Sequence, residues 1–329
     1  MNQMNERLNQ KIGLGTAPLG NMFRDVPEDE AQATIEAAWN AGIRYYDTAP
    51  FYGAGLAEIR LGEFLSKQNR DEYVLSSKVG RVIEEETEEK DGLFEFGRTN
   101  KVITDYSAAA THRSIKQSLE RLKTDRLDMV FVHDLSPDFH GDEWIAKFEE
   151  ARTGAFRVLT ELQEQGVIKG WGLGVNTTIP IELALQLEEA HPTISLQATQ
   201  YTILDHENTL RRMMPEVEQK GMDIIVGAPY SSGALLGGES YNYGEVPPEI
   251  KAKIKQLKDV ADRHGVSLKA AALQFSTAHP AVAAVIPGST RPERIQEDLD
   301  ALSAAIPDAF WQELIEKELI SAVAPLPNT

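Results

Sequence analysis

Short apolar runs alternate with longer stretches of mixed polarity along most of the chain. The apolar runs predict strands, because a parallel strand covered by helices is apolar on both faces. Eight such runs occur: KIGLGTA from Lys11, IRYYD from Ile43, YVLSSKVG from Tyr73, LDMVFVHD from Leu127, VIKGWGLGV from Val167, ISLQATQY from Ile194, MDIIVGAPY from Met222 and AVAAVIPG from Ala281.

The stretches between these runs have the periodicity of amphipathic helices. DEAQATIEAAWNAG closes with Gly42, a typical residue just past a helix C-terminus. AATHRSIKQSLERLKTD and AFRVLTELQEQG place apolar residues at i, i+3 and i+4. Strands that are each followed by a helix predict an α/β fold, a (β/α)8 or TIM barrel. Since no linker rich in Pro, Gly or Ser interrupts this order, residues 1–329 are predicted to form a single domain.

Two segments depart from the alternation. Residues 84–100 (EEETEEKDGLFEFGRTN) form an acidic insertion after the third strand, and residues 231–248 (SSGALLGGESYNYGEVPP) form a long Gly-rich loop after the seventh. Both follow strands, so both are expected on the C-terminal face of the barrel, where such folds carry their chemistry.

Composition narrows the class of protein. The chain contains no cysteine, which excludes disulfides, thiolate metal sites and cysteine nucleophiles. The net charge of −18 disfavours nucleic acid and anionic membranes as partners. The first ten residues are polar and no run is long and apolar enough to span a bilayer, so a cytoplasmic enzyme acting on a small molecule is expected. No pattern predicts an oligomeric state.

Three predicted strands end in a titratable residue: Asp47, Lys78 and His133. Each alone has an ordinary structural explanation, as a turn cap, a lysine extending to solvent or a packed histidine. Together they also have a functional explanation, because the C-terminal ends of neighbouring barrel strands converge on one mouth. Tyr52, on the turn after the second strand, is expected above them.

These residue types suit proton transfer at an oxygen. A free phenol has a pKa of about 10, and the Lys78 ammonium is expected to lower the pKa of Tyr52. Asp47 would hold the lysine charged, and His133 would position a substrate oxygen. No serine-hydrolase pair and no metal-ligand spacing is evident. Proton transfer at a C–O group is half of a redox reaction, so a nicotinamide cofactor is required for the hydride.

The candidate site for the cofactor phosphates is VIPGSTRPERIQEDL, residues 285–299. No G-x-G-x-x-G follows a strand, which argues against a Rossmann site. In the 285–299 segment Thr290 is expected as the N-cap and Glu293 as its capping-box partner. Arg291 and Arg294 then lie at a helix N-terminus, which is an anion site. The alternative is a well-capped surface helix.

The sequence resembles the aldo-keto reductases, NAD(P)-dependent oxidoreductases built on a (β/α)8 barrel. YDTAPFYG, SSKVG and FVHD are similar to the motifs of that family's catalytic tetrad, which implies roles for Asp47, Tyr52, Lys78 and His133. The resemblance also implies coenzyme contacts: Asn176 and Gln200 at the carboxamide, Tyr230 on the nicotinamide ring, Ser231 at the pyrophosphate, and Ser289, Arg294, Glu297 and Asp298 at the adenosine end.

Within the family the chain resembles three kinds of dehydrogenase, which oxidise D-threo-aldoses (such as L-fucose), L-galactose and pyridoxal, respectively. These dehydrogenases share one reaction, the oxidation of a cyclic hemiacetal to a lactone. Asp134 follows His133 where many members have an aromatic residue, and is expected to bind a polar ring substituent. Phe23, Phe51 and Trp144 are further candidates for the pocket wall. Gly288 stands where NADP-preferring members often carry lysine, so NAD is expected, although the nearby arginines leave NADP open.

Three other functions remain open at this point. The first is NADPH-dependent reduction of diverse aldehydes in the same barrel. The second is a nucleotide-binding regulatory subunit with little turnover, against which the presence of all four tetrad residues argues. The third is a barrel isomerase or lyase that works through a Schiff base on Lys78.

Overall fold

The computed structural model describes residue 8 and residues 10–327. Within that part of the chain, eight parallel strands form one sheet in which each strand pairs with the next along the sequence. They are β1 (Leu14–Gly15), β2 (Tyr45–Asp47), β3 (Val74–Val79), β4 (Met129–His133), β5 (Gly170–Val175), β6 (Ile194–Ala198), β7 (Asp223–Gly227) and β8 (Val282–Ile286). Parallel bridges Ile12–Val285 and Gly15–Gly288 join the last strand to the first. The predicted (β/α)8 barrel and its eight strands are confirmed.

Helices surround the barrel. They are α1 (Glu28–Asn40), α2 (Leu56–Leu65), α3 (Ala108–Leu122), α4 (Pro137–His140), α5 (Trp144–Ala151), α6 (Arg157–Glu164), α7 (Ile179–Leu185), α8 (Met214–Lys220), α9 (Pro248–His264), α10 (Leu268–Ala278), α11 (Pro292–Ser303) and α12 (Asp308–Glu316). π-helical turns at Arg152–Phe156 and Thr209–Met213 lead into α6 and α8. Among the helices of the described residues, none has the length and apolar character needed to cross a membrane.

Helix α3 shows why these segments are helical. The Ser107 side chain accepts a hydrogen bond from the Ala110 amide and caps the N-terminus. Lys123 ends the helix in the left-handed conformation. Between these ends the buried residues recur every three or four positions, as in Ser114, Ser118 and Leu122. One face of the helix therefore packs on the sheet, and the charged residues lie on the other face.

The two irregular segments contain more regular structure than the sequence indicated. The acidic insertion lies largely in a hairpin, in which Arg81–Thr87 pairs antiparallel with Asn100–Thr104. The loop after β7 contains a 3-10 segment, Ser231–Leu236, and a small hairpin that pairs Ser240–Tyr241 with Gly244–Glu245. Both segments line the cavity at the end of the barrel, the first through its connecting turn.

Candidate active site

The alternation of side chains along a strand directs the strand-end residues into the barrel mouth. On β4, Met129 and Phe131 belong to the cluster inside the barrel, whereas Val130 and Val132 pack outward. Successive side chains on a strand alternate sides, so His133 has the inward phase. Asp47 on β2 and Lys78 on β3 likewise lie an even number of positions from the interior residues of their strands, so their side chains also point inward. All three reach one cavity.

Asp47 and Lys78 form a buried ion pair. The Lys78 Nζ donates to Asp47 Oδ2 at 2.6 Å and to the Thr48 carbonyl at 2.8 Å. The Ser76 hydroxyl donates to the other carboxylate oxygen of Asp47 at 2.6 Å. Both charged side chains are only 1% exposed. A buried pair with all its polar atoms engaged is rigid, so the ammonium has a fixed position beneath the cavity.

Tyr52 is positioned by a close contact between two backbones. Gly53 has a φ of +64°, and a Cβ at this position would overlap the Gly20 carbonyl. A Cβ at Gly20 would in turn lie 2.5 Å from the carbonyl carbon of Tyr52. Only glycine permits both features at once. The loop after β1 is thereby packed directly against the turn that carries the phenol.

The Tyr52 ring is enclosed by aromatic and charged groups. Phe94, from the hairpin after β3, stacks on it with ring centroids 5.9 Å apart. The His133 ring contacts it edge-on at 5.7 Å, and the Lys78 Nζ lies 4.8 Å from the ring centroid. The phenol and the imidazole therefore face the same part of the cavity.

The prediction that Lys78 lowers the pKa of Tyr52 is wrong for this structure. Burial raises the pKa of Tyr52 well above 10, and the carboxylates of Asp47 and Asp134 raise it further. The reason is geometric: Asp47 neutralises the ammonium, which lies against the ring of Tyr52 and makes no hydrogen bond to its hydroxyl. Tyr52 is therefore a protonated phenol at neutral pH, which can donate a proton to an oxygen.

His133 is a neutral imidazole. Burial lowers its pKa well below 6.5, and the positive charges of Lys78 and Arg81 act in the same direction. Its Nδ1 is buried and, within the described part of the chain, has no hydrogen-bond partner. Nε2 lies 3.6 Å from Asp134 Oδ1. A neutral ring beside Tyr52 can form a hydrogen bond to a substrate oxygen without bringing another positive charge.

Three residues behind His133 were not identified from the sequence: the buried Arg81 and Tyr106, and the half-buried His140. Arg81 donates to Asp134 Oδ2 at 3.1 Å and to the Tyr106 hydroxyl at 3.3 Å. The Tyr106 hydroxyl donates to the His133 carbonyl at 2.7 Å and lies 2.9 Å from His140 Nε2. Burial raises the pKa of Tyr106 to about 12, so it remains a donor. The signal in the sequence was an arginine directly after a predicted strand, in SSKVGR.

A cavity of about 1010 Å3 extends from these residues across the C-terminal end of the barrel. Most of the candidate residues line it: Phe23, Asp47, Phe51, Tyr52, Lys78, His133, Asp134, Asn176, Tyr230, Ser289, Arg294, Glu297 and Asp298. The cavity has two ends, one at the aromatic residues around Tyr52 and the other at the N-terminus of α11. Its volume is at the upper limit of about 1,000 Å3 for pockets that enclose a drug-sized ligand.

Four candidates do not line this cavity. Ser231 is fully buried beside the Thr202 hydroxyl, and Gln200 donates to the Thr199 hydroxyl. Arg291 lies on the surface before α11. Trp144 packs on Phe148, with ring centroids 6.2 Å apart. These placements give no support to direct contacts between these side chains and a ligand.

The predicted capping of α11 by Thr290 is also wrong. The N-cap is Arg291, whose φ of −124° and ψ of 122° keep the chain extended one residue longer than expected. The Ser289 hydroxyl accepts a hydrogen bond from the Arg291 amide at 3.0 Å. The Thr290 hydroxyl accepts one from Arg24, at 2.7 Å. Thr290 thus joins the loop after β8 to the loop after β1.

The far end of the cavity contains a second polar cluster. The Tyr230 hydroxyl donates to Asp298 Oδ1 at 2.7 Å. Lys269, which was not identified from the sequence, lies 3.0 Å from the same carboxylate oxygen and donates to Glu297 at 2.7 Å. These contacts fix the Tyr230 ring in the cavity wall. They also engage one oxygen of Asp298 with protein partners.

The residues at this end fit a dinucleotide. Arg294 supplies a cation to this end of a cavity in a strongly acidic chain, and Asn176, elsewhere on the cavity wall beside Asp138, supplies a carboxamide. Ser232 and Gly233, which follow β7, have φ values of 58° and 96°. Consecutive backbone amides in such irregular turns are suited to phosphate oxygens. The donors needed for a pyrophosphate and an amide are therefore present on the wall.

The chain is similar to known proteins along nearly its whole length. A model of the aldo/keto reductase family matches residues 11–318. The chain is 37% identical to pyridoxal 4-dehydrogenase of Microbacterium luteolum, and the match covers 94% of both chains. It is 34% identical to D-threo-aldose 1-dehydrogenase of a Pseudomonas species, again over 94% of both. The solved holo form of an aldo-keto reductase from Bacillus halodurans is 25% identical, with a TM-score of 0.71 over 95% of this chain and 93% of that one.

Proposed function

The chain belongs to the aldo/keto reductase family and is an NAD(P)-dependent oxidoreductase, and we propose that it oxidises a cyclic hemiacetal to a lactone. Pyridoxal in its hemiacetal form and an aldose such as L-fucose are the two substrates proposed. Two relatives that are more than 30% identical are named pyridoxal 4-dehydrogenase and D-threo-aldose 1-dehydrogenase. The protein would act on the free small molecule.

The observation that carries the proposal is that one cavity brings together Tyr52, Lys78, Asp47 and His133. They come from three neighbouring strands and the turn after one of them. This set has groups that hold and move a proton and groups that fix their position. The proposal therefore assigns the catalytic roles to these four side chains.

A nicotinamide bound in the cavity supplies the hydride acceptor. The protein's task is the hydroxyl proton of the hemiacetal, which passes to the phenolate form of Tyr52 as the carbon that bears the hydroxyl loses its hydride and the C–O bond becomes a carbonyl. His133 forms a hydrogen bond to the same substrate oxygen and orients it. The Lys78–Asp47 pair packs against the phenol ring, and its fixed position holds Tyr52 in place beside the substrate oxygen. In the reverse direction Tyr52 donates the proton.

The substrate end of the cavity is aromatic and has a single acidic corner. Phe51 contacts Phe94 and Phe139 edge-on, with centroids 5.3 and 6.2 Å apart. Asp134 lies beside this aromatic wall and is 9% exposed. Aromatic faces suit a planar pyridine ring or the apolar face of a sugar, and a carboxylate accepts hydrogen bonds from ring hydroxyls. Both proposed substrates have these features.

We propose NAD as the coenzyme. A Cβ at Gly288 would lie 2.8 Å from the Pro18 ring, so a lysine here would need the loop after β1 to move. The position therefore offers no cation for a 2′-phosphate. Arg294 remains on the cavity wall and is the residue through which NADP would be accommodated instead. A ratio of kcat/KM values above one for NAD⁺ over NADP⁺ is expected.

The test measures absorbance at the NADH band, with purified protein, NAD⁺ or NADP⁺, and L-fucose or pyridoxal in parallel. NADH formation with either substrate, lost in Tyr52→Phe, supports the proposal and chooses between the sugar and the pyridine. No product from either substrate, with NADPH consumed by a simple aldehyde, would replace the proposal by broad aldehyde reduction. Tight nucleotide binding without any turnover would identify a regulatory subunit.

A further inference from the structure

The small hairpin after β7 presents an unusual turn to the cavity. Its strands, Ser240–Tyr241 and Gly244–Glu245, are joined by Asn242 and Tyr243. These two residues have φ values of 47° and 68°. Two left-handed residues in succession are typical of a two-residue hairpin turn, and asparagine is favoured there. Tyrosine is not, so the second turn position is occupied by a side chain that local geometry disfavours.

The side chains of this turn point inward although the hairpin itself is on the surface. Gly244 and Glu245 are exposed, whereas Asn242 and Tyr243 line the cavity. Burial raises the pKa of the Tyr243 phenol, and the nearby Tyr52 raises it further. Tyr243 and Tyr52 therefore line the same cavity and are near enough to interact electrostatically.

The turn is held by contacts on both sides. The Tyr243 amide donates to the Ser232 hydroxyl at 3.0 Å. The Tyr241 hydroxyl donates to Asp205, on the segment after β6, and the Tyr241 ring packs against the core. The position of the turn is thus set by the rest of the loop and does not depend on Tyr243 itself.

Asn242 has an unused acceptor at this site. Its side-chain oxygen Oδ1 is buried and, among the described residues, has no hydrogen-bond partner. Buried polar atoms are nearly always paired, so an unpaired one that borders a cavity calls for a donor from a ligand. Asp134 also borders this end of the cavity, where Arg81 binds its Oδ2 and His133 Nε2 lies 3.6 Å from its Oδ1. A ligand that donates several hydrogen bonds would satisfy both.

We propose that Asn242 and Tyr243 form the outer half of the substrate site and bind the ring hydroxyls of an uncharged cyclic substrate held against Tyr52. This inference rests on the proposed function and specifies its substrate class. Asn242 Oδ1 accepts a hydrogen bond from a substrate hydroxyl, and the Tyr243 hydroxyl forms another. Carboxylate or phosphate substrates are disfavoured, because Asp134 and Asp138 line this end of the cavity.

The test uses binding, so that it does not depend on turnover. Protein saturated with NAD⁺ is titrated calorimetrically with phthalide, an aromatic lactone, and with hydroxyphthalide, the same lactone bearing one ring hydroxyl. The variants are Asn242→Gly, which keeps the left-handed backbone, and Tyr243→Phe, which keeps the ring. Glu245→Gln, in the exposed strand of the same hairpin, is the matched control.

Wild type and Glu245→Gln are expected to prefer hydroxyphthalide. In each of the other variants its affinity should fall by about threefold to tenfold, the value of one neutral hydrogen bond, while phthalide binding is unchanged. Equal changes for both lactones, or none, would overturn the inference. If the Asn242→Gly and Tyr243→Phe variants lose the preference for hydroxyphthalide, but wild type oxidises neither L-fucose nor pyridoxal, the result would support this site and reject the proposed reaction.

Discussion

The Arg81 guanidinium donates to Asp134 Oδ2 at 3.1 Å, and Asp134 is the residue that follows His133 on the chain. Both partners are buried, and the same guanidinium also reaches the Tyr106 hydroxyl that holds the His133 carbonyl. Asp134 has a φ of 52°, a conformation that side chains rarely adopt. The ion pair therefore holds the end of β4 in a shape that it would not take alone, and with it the orientation of His133.

Arg81→Lys should reduce kcat/KM for the preferred substrate by roughly tenfold. A lysine has a single ammonium group in place of the planar guanidinium that donates to both Asp134 and Tyr106. The variant tests whether Arg81 positions His133, so kcat and KM are measured separately as a function of pH. Arg113→Lys is the control, since Arg113 pairs with Glu84 on the exposed side of the same hairpin. Unchanged kinetics in Arg81→Lys would show that the guanidinium does not position His133.

Replacing one partner of the Asp47–Lys78 pair should destabilise the fold by about 3–5 kcal/mol, because the other charge is left buried without a partner. Asp47→Asn and Lys78→Met are the single variants, and the free energy of unfolding is measured in urea. The double variant should lose much less than the sum of the two single losses. Additive losses would show that the pair is not coupled in solution.

The rate of substrate oxidation should rise with pH, by about tenfold per unit between neutral pH and the alkaline limit. The pKa of Tyr52 is raised well above 10, so in that range the phenolate is a minor form that grows with pH. Reduction uses the protonated phenol and should show no such rise. The measurement is kcat/KM in both directions for wild type; a flat profile for oxidation would exclude Tyr52 as the proton acceptor.

Affinity for hydroxyl-bearing substrates should weaken as the pH falls through about 6, the value to which burial raises the pKa of Asp134. Arg81 and Lys78 oppose this shift and Asp138 adds to it. Above that pH Asp134 is a carboxylate that accepts hydrogen bonds; below it the carboxyl is protonated. Burial lowers the pKa of His133 well below 6.5, which favours its neutral form.

The measurement is KM for L-fucose and pyridoxal between pH 5 and 8, with Asp134→Asn as the comparison. An amide does not titrate in this range, so the variant should give a flat profile with a weaker affinity at neutral pH. A pH dependence that persists in Asp134→Asn would assign the titration to another group. Affinity in Asp134→Asn equal to that of wild type would remove Asp134 from the substrate site.

The barrel and the meeting of Asp47, Lys78 and His133 could be predicted because both follow from local pattern. Apolar runs mark the strands, and inward phase at a strand end places a side chain at the mouth. The positioning network could not be predicted, since Tyr106 reaches the His133 carbonyl from 27 residues away in sequence. Nothing in the local sequence around Tyr106 specifies that contact.

Two errors had similar causes. The capping motif at Thr290 was locally correct, but Arg24 binds the Thr290 hydroxyl from the other end of the chain. The effect of Lys78 on the pKa of Tyr52 was predicted from proximity alone, whereas the shift is set by burial and by the carboxylates of Asp47 and Asp134. Tyr243 also required the structure, because a Gly-rich loop does not reveal which of its side chains turns inward.

The contact between Gly20 and Gly53 has a consequence for the exchange of parts between related barrels. The backbone of the first loop lies against the turn after β2 with no side chain between them, so neither segment can shift independently. A chimaera that receives the loop after β1 from a relative without that relative's turn after β2 would join two backbone surfaces that are not complementary. Recombination in this chain should therefore move residues 16–55 as one module.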